Sequence, residues 1–290
     1  MTDRLSDVRH HIGTVAQLGA VVNAMRGMAA AHAAQARALI PAVHAYEAVA
    51  TQAIAAAMRV DNATPISNAA ATPTRCLVVF GPEQGFCGAL ADRLLEVAAP
   101  LFAGSYVLVV GSRLASLASD RGLEFAQGFA MPTRAAGLTA LATRMGDAVA
   151  AWLEQASHPH VAMILPRWTD GQRLSIDNQT LLPVNTAAIA TTSCGLPPLI
   201  QIPLQRLLAE LADEHLFARL CEGTAETFAA ENECRVATMA SAASSIEHRL
   251  TDLRAAERLT RQEEITAEVV ELAAGAGARR HSASTRPIRR

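Results

Sequence analysis

The sequence of 290 residues contains no lysine, and all 25 of its basic residues are arginine. Because lysine is missing even from positions where either residue would serve, we attribute its absence mainly to a genomic base-composition bias. Together with 27 aspartates and glutamates, the arginines give a net charge of −2. This balance argues against a dedicated nucleic-acid binder, since such proteins usually carry a basic excess.

Proline and glycine are nearly absent from the C-terminal third. No proline lies between Pro203 and Pro287, and only Gly223 interrupts the stretch from Gly195 to Gly275. Proline costs roughly 3 kcal/mol inside a helix, so its absence permits one unbroken rod. Sixty to seventy helical residues would span roughly 90–105 Å, more than a compact domain of this size can enclose. We therefore expect part of the rod to project and to contact another protein.

Signals for disulfides, zinc, secretion and membranes are also missing. The cysteines are odd in number and have no CxxC spacing, which favours a reducing compartment and argues against a disulfide framework or a zinc site formed by these cysteines. They are Cys76, Cys87, Cys194, Cys221 and Cys234. The N-terminus lacks an apolar segment followed by a cleavage site, and no window approaches eighteen uninterrupted apolar residues. We expect a soluble chain.

The N-terminal segment, residues 3–58, has the periodicity of a helix. Apolar side chains recur at spacings of three and four, which is typical of a coiled-coil seam. They are Leu5, Val8, Ile12, Val15, Leu18, Val22, Met25 and Met28. Alanine then dominates up to Ala36, and Pro41 is a point where the helix could kink or divide. An ordinary amphipathic core helix is the alternative interpretation of this stripe.

The C-terminal segment, residues 205–274, has a matching stripe. It comprises Val236, Met239, Ala243, Ile246, Leu250 and Leu253, loosens at Glu257 and Thr260, and is expected to resume near Ile265, Val269 and Leu272. Two striped helices at opposite ends of a chain pair most simply as an antiparallel coiled coil. Polar positions near Arg261 would then face a partner, or only solvent, as most charged helix faces do.

The middle of the chain alternates strand and helix patterns, which predicts a parallel α/β sheet. The apolar runs RCLVVF (75–80), YVLVVG (106–111) and VAMIL (161–165) predict strands, and RLSIDNQTLLPV (173–184) predicts an antiparallel edge strand. Residues 192–200 form a second joint. The predicted plan is an N-terminal coiled-coil helix (1–59), a linker (60–74), a small Rossmann-like α/β foot domain (75–200), a C-terminal coiled-coil helix (201–277) and a disordered basic tail (278–290).

One candidate chemical site follows the first strand. The segment GPEQGFCGAL (81–90) precedes a helix, as phosphate-binding loops do, but it fits neither a P-loop nor GxGxxG. Cys87 would lie near a helix N-terminus, where the dipole lowers the pKa of a thiol and could produce a nucleophile. A tight structural turn explains Gly85 and Gly88 equally well, and no catalytic base is evident.

Three separated motifs then resemble a known family. VVNAMRGMAAAHAAQAR (21–37) aligns without a gap to the family's ITKAMKMVAAAKLRKAQ, and PEQGFCGALA (82–91) to SDRGLCGALN. ENECRVATM (231–239), RQEEITAE (261–268) and AGAGA (274–278) follow ENEARMxAM, RQAAITQE and a GGA-like end, in the family's order. The chain resembles the γ subunit of F-type ATP synthases, the central rotor shaft, over residues 1–278. It departs where several first-helix lysines are replaced, at Glu83-Gln84 in place of Asp-Arg, and at Glu263 and Glu264 in place of small residues.

The resemblance implies a non-catalytic subunit without a cofactor, metal or catalytic residue of its own. It would transmit torque between a membrane ion-driven ring and a catalytic α/β hexamer. The implied partners are the α and β subunits around the shaft, the ε subunit and the membrane c-ring, at the cytoplasmic face of the bacterial inner membrane. The implied process is ATP synthesis coupled to hydrogen-ion transport.

The resemblance also implies contact residues. Arg261 and Gln262 match the family's RQ pair, which looks like a polar latch onto a β-subunit loop, and Thr266 and Glu268 belong to the same motif. Met25 and Arg26 match the region of the first helix that faces the β-subunit lever. The turn residues Gly85, Cys87 and Gly88 are structural in this interpretation. A stand-alone α/β enzyme that uses Cys87 and a generic coiled-coil scaffold are the alternatives.

Overall fold

A computed structural model describes residues 2–59, 74–169, 173–184 and 199–284. Five α-helices and five strands occur in these ranges, together with short 3₁₀ turns at Ala99–Leu101 and Ala135–Gly137. The helices are α1 (Thr2–Met58), α2 (Leu90–Ala98), α3 (Ser112–Asp120), α4 (Leu138–Leu153) and α5 (Leu204–Ser284). The strands are β1 (Thr74–Phe80), β2 (Ser105–Val110), β3 (Gln127–Phe129), β4 (Pro159–Thr169) and β5 (Arg173–Leu182). The predicted fold class, long terminal helices with a small α/β domain between them, is confirmed.

The five strands form one sheet in the order β3-β2-β1-β4-β5. β1 pairs in parallel with β2 and β4, β2 pairs in parallel with β3, and β5 runs antiparallel to β4 at the edge. The four predicted strands are therefore confirmed, including the antiparallel edge. β3 was not predicted, because its three residues, Gln127–Phe129, carry no recognisable pattern.

The chain divides into two compact units. The α/β unit comprises residues 27–238 and the coiled-coil unit comprises residues 1–26 and 239–290. In the α/β unit, both faces of the sheet are covered, as strands with continuous apolar runs require. One face packs against α2 and α3. The other packs against α4 and the parts of α1 and α5 that belong to this unit.

Gly223 is the single glycine in the long glycine-poor stretch, and its position against the sheet explains it. A Cβ atom at Gly223 would lie 2.6 Å from the ring of Phe80, which is fully buried at the end of β1. Real Cβ contacts do not approach so closely, so α5 can pack on Phe80 only where it has no side chain.

The coiled-coil unit confirms the predicted antiparallel pairing of α1 with α5. Val22 packs with Met239 and Ala243, and Ile246 packs near Gly19. Farther along, Arg9 Nε donates to Glu257 Oε1 at 2.8 Å. From one contact to the next, the residue numbers therefore fall along α1 and rise along α5, as they do in an antiparallel pair.

Two members of the predicted α1 stripe do not lie in this seam. Leu18 and Met28 are 53% and 59% exposed. At this level of the seam, Gly19 and not Leu18 faces Ile246. A Cβ atom added at Gly19 would lie only 3.2 Å from the Ile246 side chain. Because the spacings 15–18–22 and 15–19–22 both alternate three and four, the periodicity permits either seam, and close helix packing selects the smaller residue.

The predicted α5 stripe is confirmed up to Leu253 and wrong beyond it. Glu257, Thr260 and Glu264 continue the partly buried line of residues. The apolar residues expected to resume the seam, Ile265, Val269 and Leu272, are instead 54%, 59% and 74% exposed. Successive residues of an α-helix are about 100° apart, so Ile265, directly after the seam residue Glu264, points away from the seam.

Other expectations concern breaks in the helices. Pro41 lies inside α1 without ending it. α5 continues to Ser284, so the first residues of the predicted disordered tail are helical. No proline occurs before Pro287 to stop the helix.

Several predicted features lie outside the described residues. They are the linker 60–74 except Thr74, most of the joint 192–200, Cys194 and residues 285–290. Within the described ranges, no helix combines the length and apolarity needed to cross a membrane.

His215 is a buried histidine where α5 packs against α1 in the α/β unit. Its Nδ1 atom lies 3.3 Å from Thr51 Oγ1 and 3.7 Å from Glu47 Oε1. Burial lowers the pKa of His215 below its usual 6.5; Arg219 adds to the effect, and Glu47 and Glu222 oppose it. The folded state therefore favours the neutral ring. The resulting stability is present above about pH 6.5 and is lost as the pH falls through the lowered pKa.

We expect His215→Gln to reduce the loss of stability in acid. Urea unfolding at about pH 7.5 and about pH 5.5 should show a smaller difference in free energy for the variant than for the wild type, because the buried ring no longer has to be protonated. His10→Gln, at an exposed position on α1, serves as the control and should leave the difference unchanged. Equal acid losses in the wild type and His215→Gln would contradict the assignment.

Candidate partner-contact surfaces

The end of α5 extends past the start of α1 in the coiled-coil unit. Arg9 of α1 lies opposite Glu257 of α5. Because the helices are antiparallel, Thr2, seven residues before Arg9, lies opposite Glu264, seven residues after Glu257. Residues of α5 after Glu264 therefore have no described α1 residue opposite them. From Ile265 to Ala274, every side chain of this stretch except the partly buried Ala267 is exposed.

The predicted latch residues lie at this point, among exposed apolar side chains. Arg261, Gln262, Thr266 and Glu268 are all exposed. By spacing, most of them share one helix face with Ile265, Val269 and Leu272. We call this set the tip surface: Arg261, Gln262, Ile265, Thr266, Glu268, Val269 and Leu272. An exposed face that combines large apolar side chains with charged ones is typical of a protein-contact surface.

The polar groups of the tip surface differ in what they can offer a partner. Arg261 and Gln262 have no side-chain hydrogen bond or ion pair within the described residues, so their donors are available. Arginine's planar fork suits bidentate binding of a carboxylate. The Thr266 hydroxyl donates to the carbonyl oxygen of Gln262 at 2.8 Å, which leaves it only as an acceptor.

Met25 and Arg26 form a second, separate level of the coiled-coil unit. The Met25 side chain is partly buried against the cluster of Val22, Met239 and Ala243, so it mainly stabilises the seam. Arg26 is exposed. In the observed register Arg26 lies about 21 residues of α5, or roughly 30 Å, from Arg261, so the structure does not bring the two sets together.

The glycine loop of the α/β unit is a strained turn between β1 and α2. Phe86 has φ of +62° and Gly88 has φ of +60°. Gly88 suits this left-handed conformation, whereas a bulky residue such as Phe86 adopts it only when its surroundings enforce it. Gly85 is exposed and a Cβ there would meet nothing, so neither space nor positive φ requires glycine at that position.

Buried polar side chains of α5 hold the loop in place. The carboxylate of Glu231 accepts hydrogen bonds from the backbone N–H groups of Glu83 and Gln84, both at 3.1 Å. Arg235 donates to Glu231 at 2.5 Å and reaches the carbonyl oxygen of Gly85 at 3.4 Å. Glu231 and Arg235 are 3% and 8% exposed. We call these contacts the loop clasp; they join two of the sequence motifs that carry the family resemblance.

Glu83 fixes the other side of the same loop. Its carboxylate accepts hydrogen bonds from the N–H and hydroxyl groups of Ser112, at 2.9 and 2.7 Å, and from the N–H of Met131 at 2.8 Å. Glu83 thus links the loop to α3 and to the segment after β3. No sequence pattern predicted a role for Glu83, Glu231 or Arg235. The only available signal was that charged residues occur inside two otherwise recognisable motifs.

The surroundings of Cys87 do not support a nucleophile. The side chain is buried, and its thiol donates to the carbonyl oxygen of Gln84 at 3.4 Å. Burial, assisted by the negative charge of Glu231, raises the pKa of the Cys87 thiol above its usual 9.0. The expected lowering by a helix dipole is therefore wrong, because desolvation outweighs it. This finding removes the main support for an enzyme that uses Cys87.

We expect the Cys87 thiol of the native protein to react slowly with iodoacetamide. At about pH 8 its rate should be at least roughly tenfold below that of the same cysteine in denaturant, because a raised pKa and burial both suppress the thiolate. Peptide mass spectrometry after timed quenching measures the two rates. A native rate equal to or above the denatured rate would show an activated thiol instead.

Comparison with known sequences agrees with the plan of the chain. The family model described as ATP synthase matches residues 4–278. An ATP synthase gamma chain of Parafrankia sp. (strain EAN1pec) is 25% identical over 96% of this chain and 98% of that relative. An ATP synthase gamma chain of Anaeromyxobacter sp. (strain K) is 24% identical over 94% of this chain and 98% of that relative.

Solved structures share the fold at lower identity. A chain of the Euglena gracilis mitochondrial ATP synthase (OSCP/F1/c-ring, rotational state 3) superposes with a TM-score of 0.65 at 12% identity, covering 100% of this chain and 99% of that chain. A rotor chain of the same organism gives 0.58 at 12%, covering 91% and 100%. A chain of the Tetrahymena thermophila central stalk and c-ring gives 0.53 at 15%, covering 77% and 99%.

Proposed function

This chain belongs to the ATP synthase gamma-chain family, and from that membership we propose its molecular role and its contacts. It is the central-stalk rotor subunit of an F-type ATP synthase. As the gamma chain it is a non-catalytic subunit, and ATP is made or hydrolysed elsewhere in the complex. Its task is to transmit torque between the membrane ring and the catalytic subunits.

The observation that carries this function is the coiled-coil unit with its exposed tip surface. A shaft needs a stiff element, and two long helices paired antiparallel provide one. It also needs an end that can contact the subunits around it. Beyond Glu264, α5 exposes Ile265, Val269 and Leu272 beside Arg261, which is a helix face suited to such a contact.

The partners follow from the same role. The α and β subunits surround the coiled coil, and the ε subunit and the membrane c-ring bind the α/β domain. The structural relatives come from F1/c-ring, rotor and central-stalk assemblies, which agrees with these partners. We place the complex at the cytoplasmic face of a bacterial inner membrane, with this chain peripheral to the bilayer; the bacterial origin of the two sequence relatives supports this location.

Arg261 and Gln262 form the proposed latch onto a β-subunit loop. The free guanidinium of Arg261 can bind a β-subunit carboxylate through two parallel hydrogen bonds, and Gln262 can add a neutral one. A rotor tolerates only a few such contacts, because many strong ion pairs with the surrounding subunits would fix the shaft at one rotational angle. Thr266 contributes as an acceptor, Glu268 as a second charged group, and Arg26 as the contact at the lower level.

Co-purification from the native host tests the assembly directly. The full chain carrying an affinity tag is isolated, and the accompanying subunits are identified by mass spectrometry and assayed for ATPase activity. We expect an α/β hexamer with one copy of this chain. A folded chain without ATPase subunits would overturn the function and favour the coiled-coil scaffold.

A further inference from the structure

An ion cluster in the α/β unit has no role in the rotor function described above. It lies where α1 and α5 pack against the end of the sheet formed by β4 and β5. Its members are His44 on α1, Arg167 on β4, Asp177 on β5, and Arg219, Glu222 and Glu226 on α5. The cluster therefore brings together side chains from four elements that are distant in the sequence.

Glu222 is held firmly in this cluster. One carboxylate oxygen lies 2.7 Å from Arg167 Nη2, and the other lies 2.8 Å from Arg219 Nη1. The residue is 3% exposed. Arg167 orients this buried carboxylate through its hydrogen bond to Oε1, as outer groups do for the ligands of metal sites, whereas Oε2, although close to Arg219, has no hydrogen-bond partner among the described residues.

Glu226 is held much less well, although it is equally enclosed. It is 5% exposed, and its ion-pair contacts are Arg167 Nη1 at 3.5 Å and His44 Nε2 at 3.7 Å. Charge-assisted hydrogen bonds are normally about 2.7–2.9 Å long, so neither contact satisfies the carboxylate. A buried carboxylate whose positive partners lie at 3.5 Å and 3.7 Å can be stabilised further by a closer cation.

The charge count points in the same direction. The three carboxylates of Asp177, Glu222 and Glu226 face the two guanidinium groups of Arg167 and Arg219. The carboxylates of the cluster therefore outnumber the guanidinium groups by one. A further positive charge at the His44 side would stabilise it, and the 44% exposed side chain of His44 leaves that side open to solvent.

The spacing of the remaining ligand atoms fits a metal ion. His44 Nε2 lies 3.5 Å from Glu222 Oε1 and 3.7 Å from Glu226 Oε1, and the three atoms lie within 4.8 Å of one another. Two bonds of about 2.1 Å at the tetrahedral angle separate their ligand atoms by about 3.4 Å. The two His44–carboxylate distances match this value, and the two carboxylate oxygens, which lie within 4.8 Å of each other, complete the set.

We propose that His44, Glu222 and Glu226 bind one Zn²⁺ ion, with water in the fourth position. One imidazole nitrogen and two carboxylate oxygens form a ligand set that zinc accepts. Because each carboxylate oxygen has two lone pairs, Arg167 and Arg219 can keep their contacts with Glu222 while it binds the metal. The ion would join α1 to α5 and so stabilise their packing within the α/β unit.

Zinc titration of the full chain tests the site. Isothermal titration with Zn²⁺ should show one tight equivalent in the wild type, bound at least about tenfold more weakly by His44→Gln and by Glu226→Gln. His32→Gln is the matched control, because His32 lies on the same helix but contacts Phe228. It should retain the wild-type affinity. Circular dichroism in the presence of a chelator confirms that each variant is folded.

Cobalt substitution distinguishes this site from one formed by cysteines. Co²⁺ at His44, Glu222 and Glu226 should give visible absorption bands without a thiolate charge-transfer band. Three results would each overturn the proposal: no tight zinc equivalent in the wild type, equal affinity in wild type and His44→Gln, or a thiolate band in the cobalt spectrum. The site goes beyond the rotor function and does not depend on it.

Discussion

We expect the replacement of Glu231 by alanine to lower the free energy of unfolding of the chain by about 3 kcal/mol. The substitution removes the acceptor of the Glu83 and Gln84 N–H groups and leaves the buried Arg235 without its carboxylate. Breaking a buried ion pair from one side typically costs about 3–5 kcal/mol, and Asn232 and Gly85 can compensate Arg235 only in part. Urea unfolding followed by circular dichroism measures the change.

The matched control is Glu210→Ala, which removes a glutamate from an exposed pair with Arg206 on the same helix. Its effect should stay within about 0.5 kcal/mol, because exposed pairs contribute little. If Glu231→Ala were as mild as Glu210→Ala, the loop clasp would not stabilise the fold. Glu231→Gln should be intermediate, since it keeps one acceptor oxygen without the charge.

The double variant Arg261→Ala, Gln262→Ala should lower the ATPase activity of the assembled complex by roughly tenfold or more. Exposed arginine anchors at protein contacts often contribute about 1.4 kcal/mol or more, which corresponds to this factor. The isolated chain should keep its stability within about 0.5 kcal/mol, because both side chains are exposed and unpaired in the described structure. The measurement is steady-state ATPase activity after reconstitution with α and β subunits.

The control for the latch is His248→Ala with Arg249→Ala, at exposed positions of α5 outside the tip surface. This pair should leave the activity and coupling near the wild-type values. Full wild-type coupling in the Arg261–Gln262 double variant would exclude the latch. Loss of activity together with unfolding of the isolated chain would also contradict the assignment, because it would show a structural role.

Local patterns predicted most of the fold because the underlying forces are local. Short β-branched runs predicted β1, β2 and β4, and the absence of proline predicted α5. Spacing of three and four predicted the coiled coil but not its seam. Leu18 and Gly19 satisfy the same spacing, and only the close approach of Ile246 decides between them.

The exposure of the candidate contact residues could be predicted from their motif, whereas contacts between distant residues could not. Arg261 and Gln262 were placed on an exposed helix face, as the resemblance implied. The clasp joins residues 147 and 148 positions apart, and no local pattern encodes such a pairing. The burial of Cys87 is equally non-local, and because it outweighs the helix dipole, it speaks against the nucleophile that the sequence left open as an alternative.

Observation of rotation in single reconstituted complexes tests the rotor function most directly. A probe is attached to the α/β unit through a cysteine introduced at the exposed Ser119. Cys76 and Cys234 are buried with their pKa values raised to about 12, and Cys87 is buried as well, so these native thiols should react slowly with the label. The α and β subunits are fixed to a surface, and ATP is supplied. We expect unidirectional rotation of the probe that stops when ATP is removed. Continued ATP hydrolysis with a stationary probe would contradict the account.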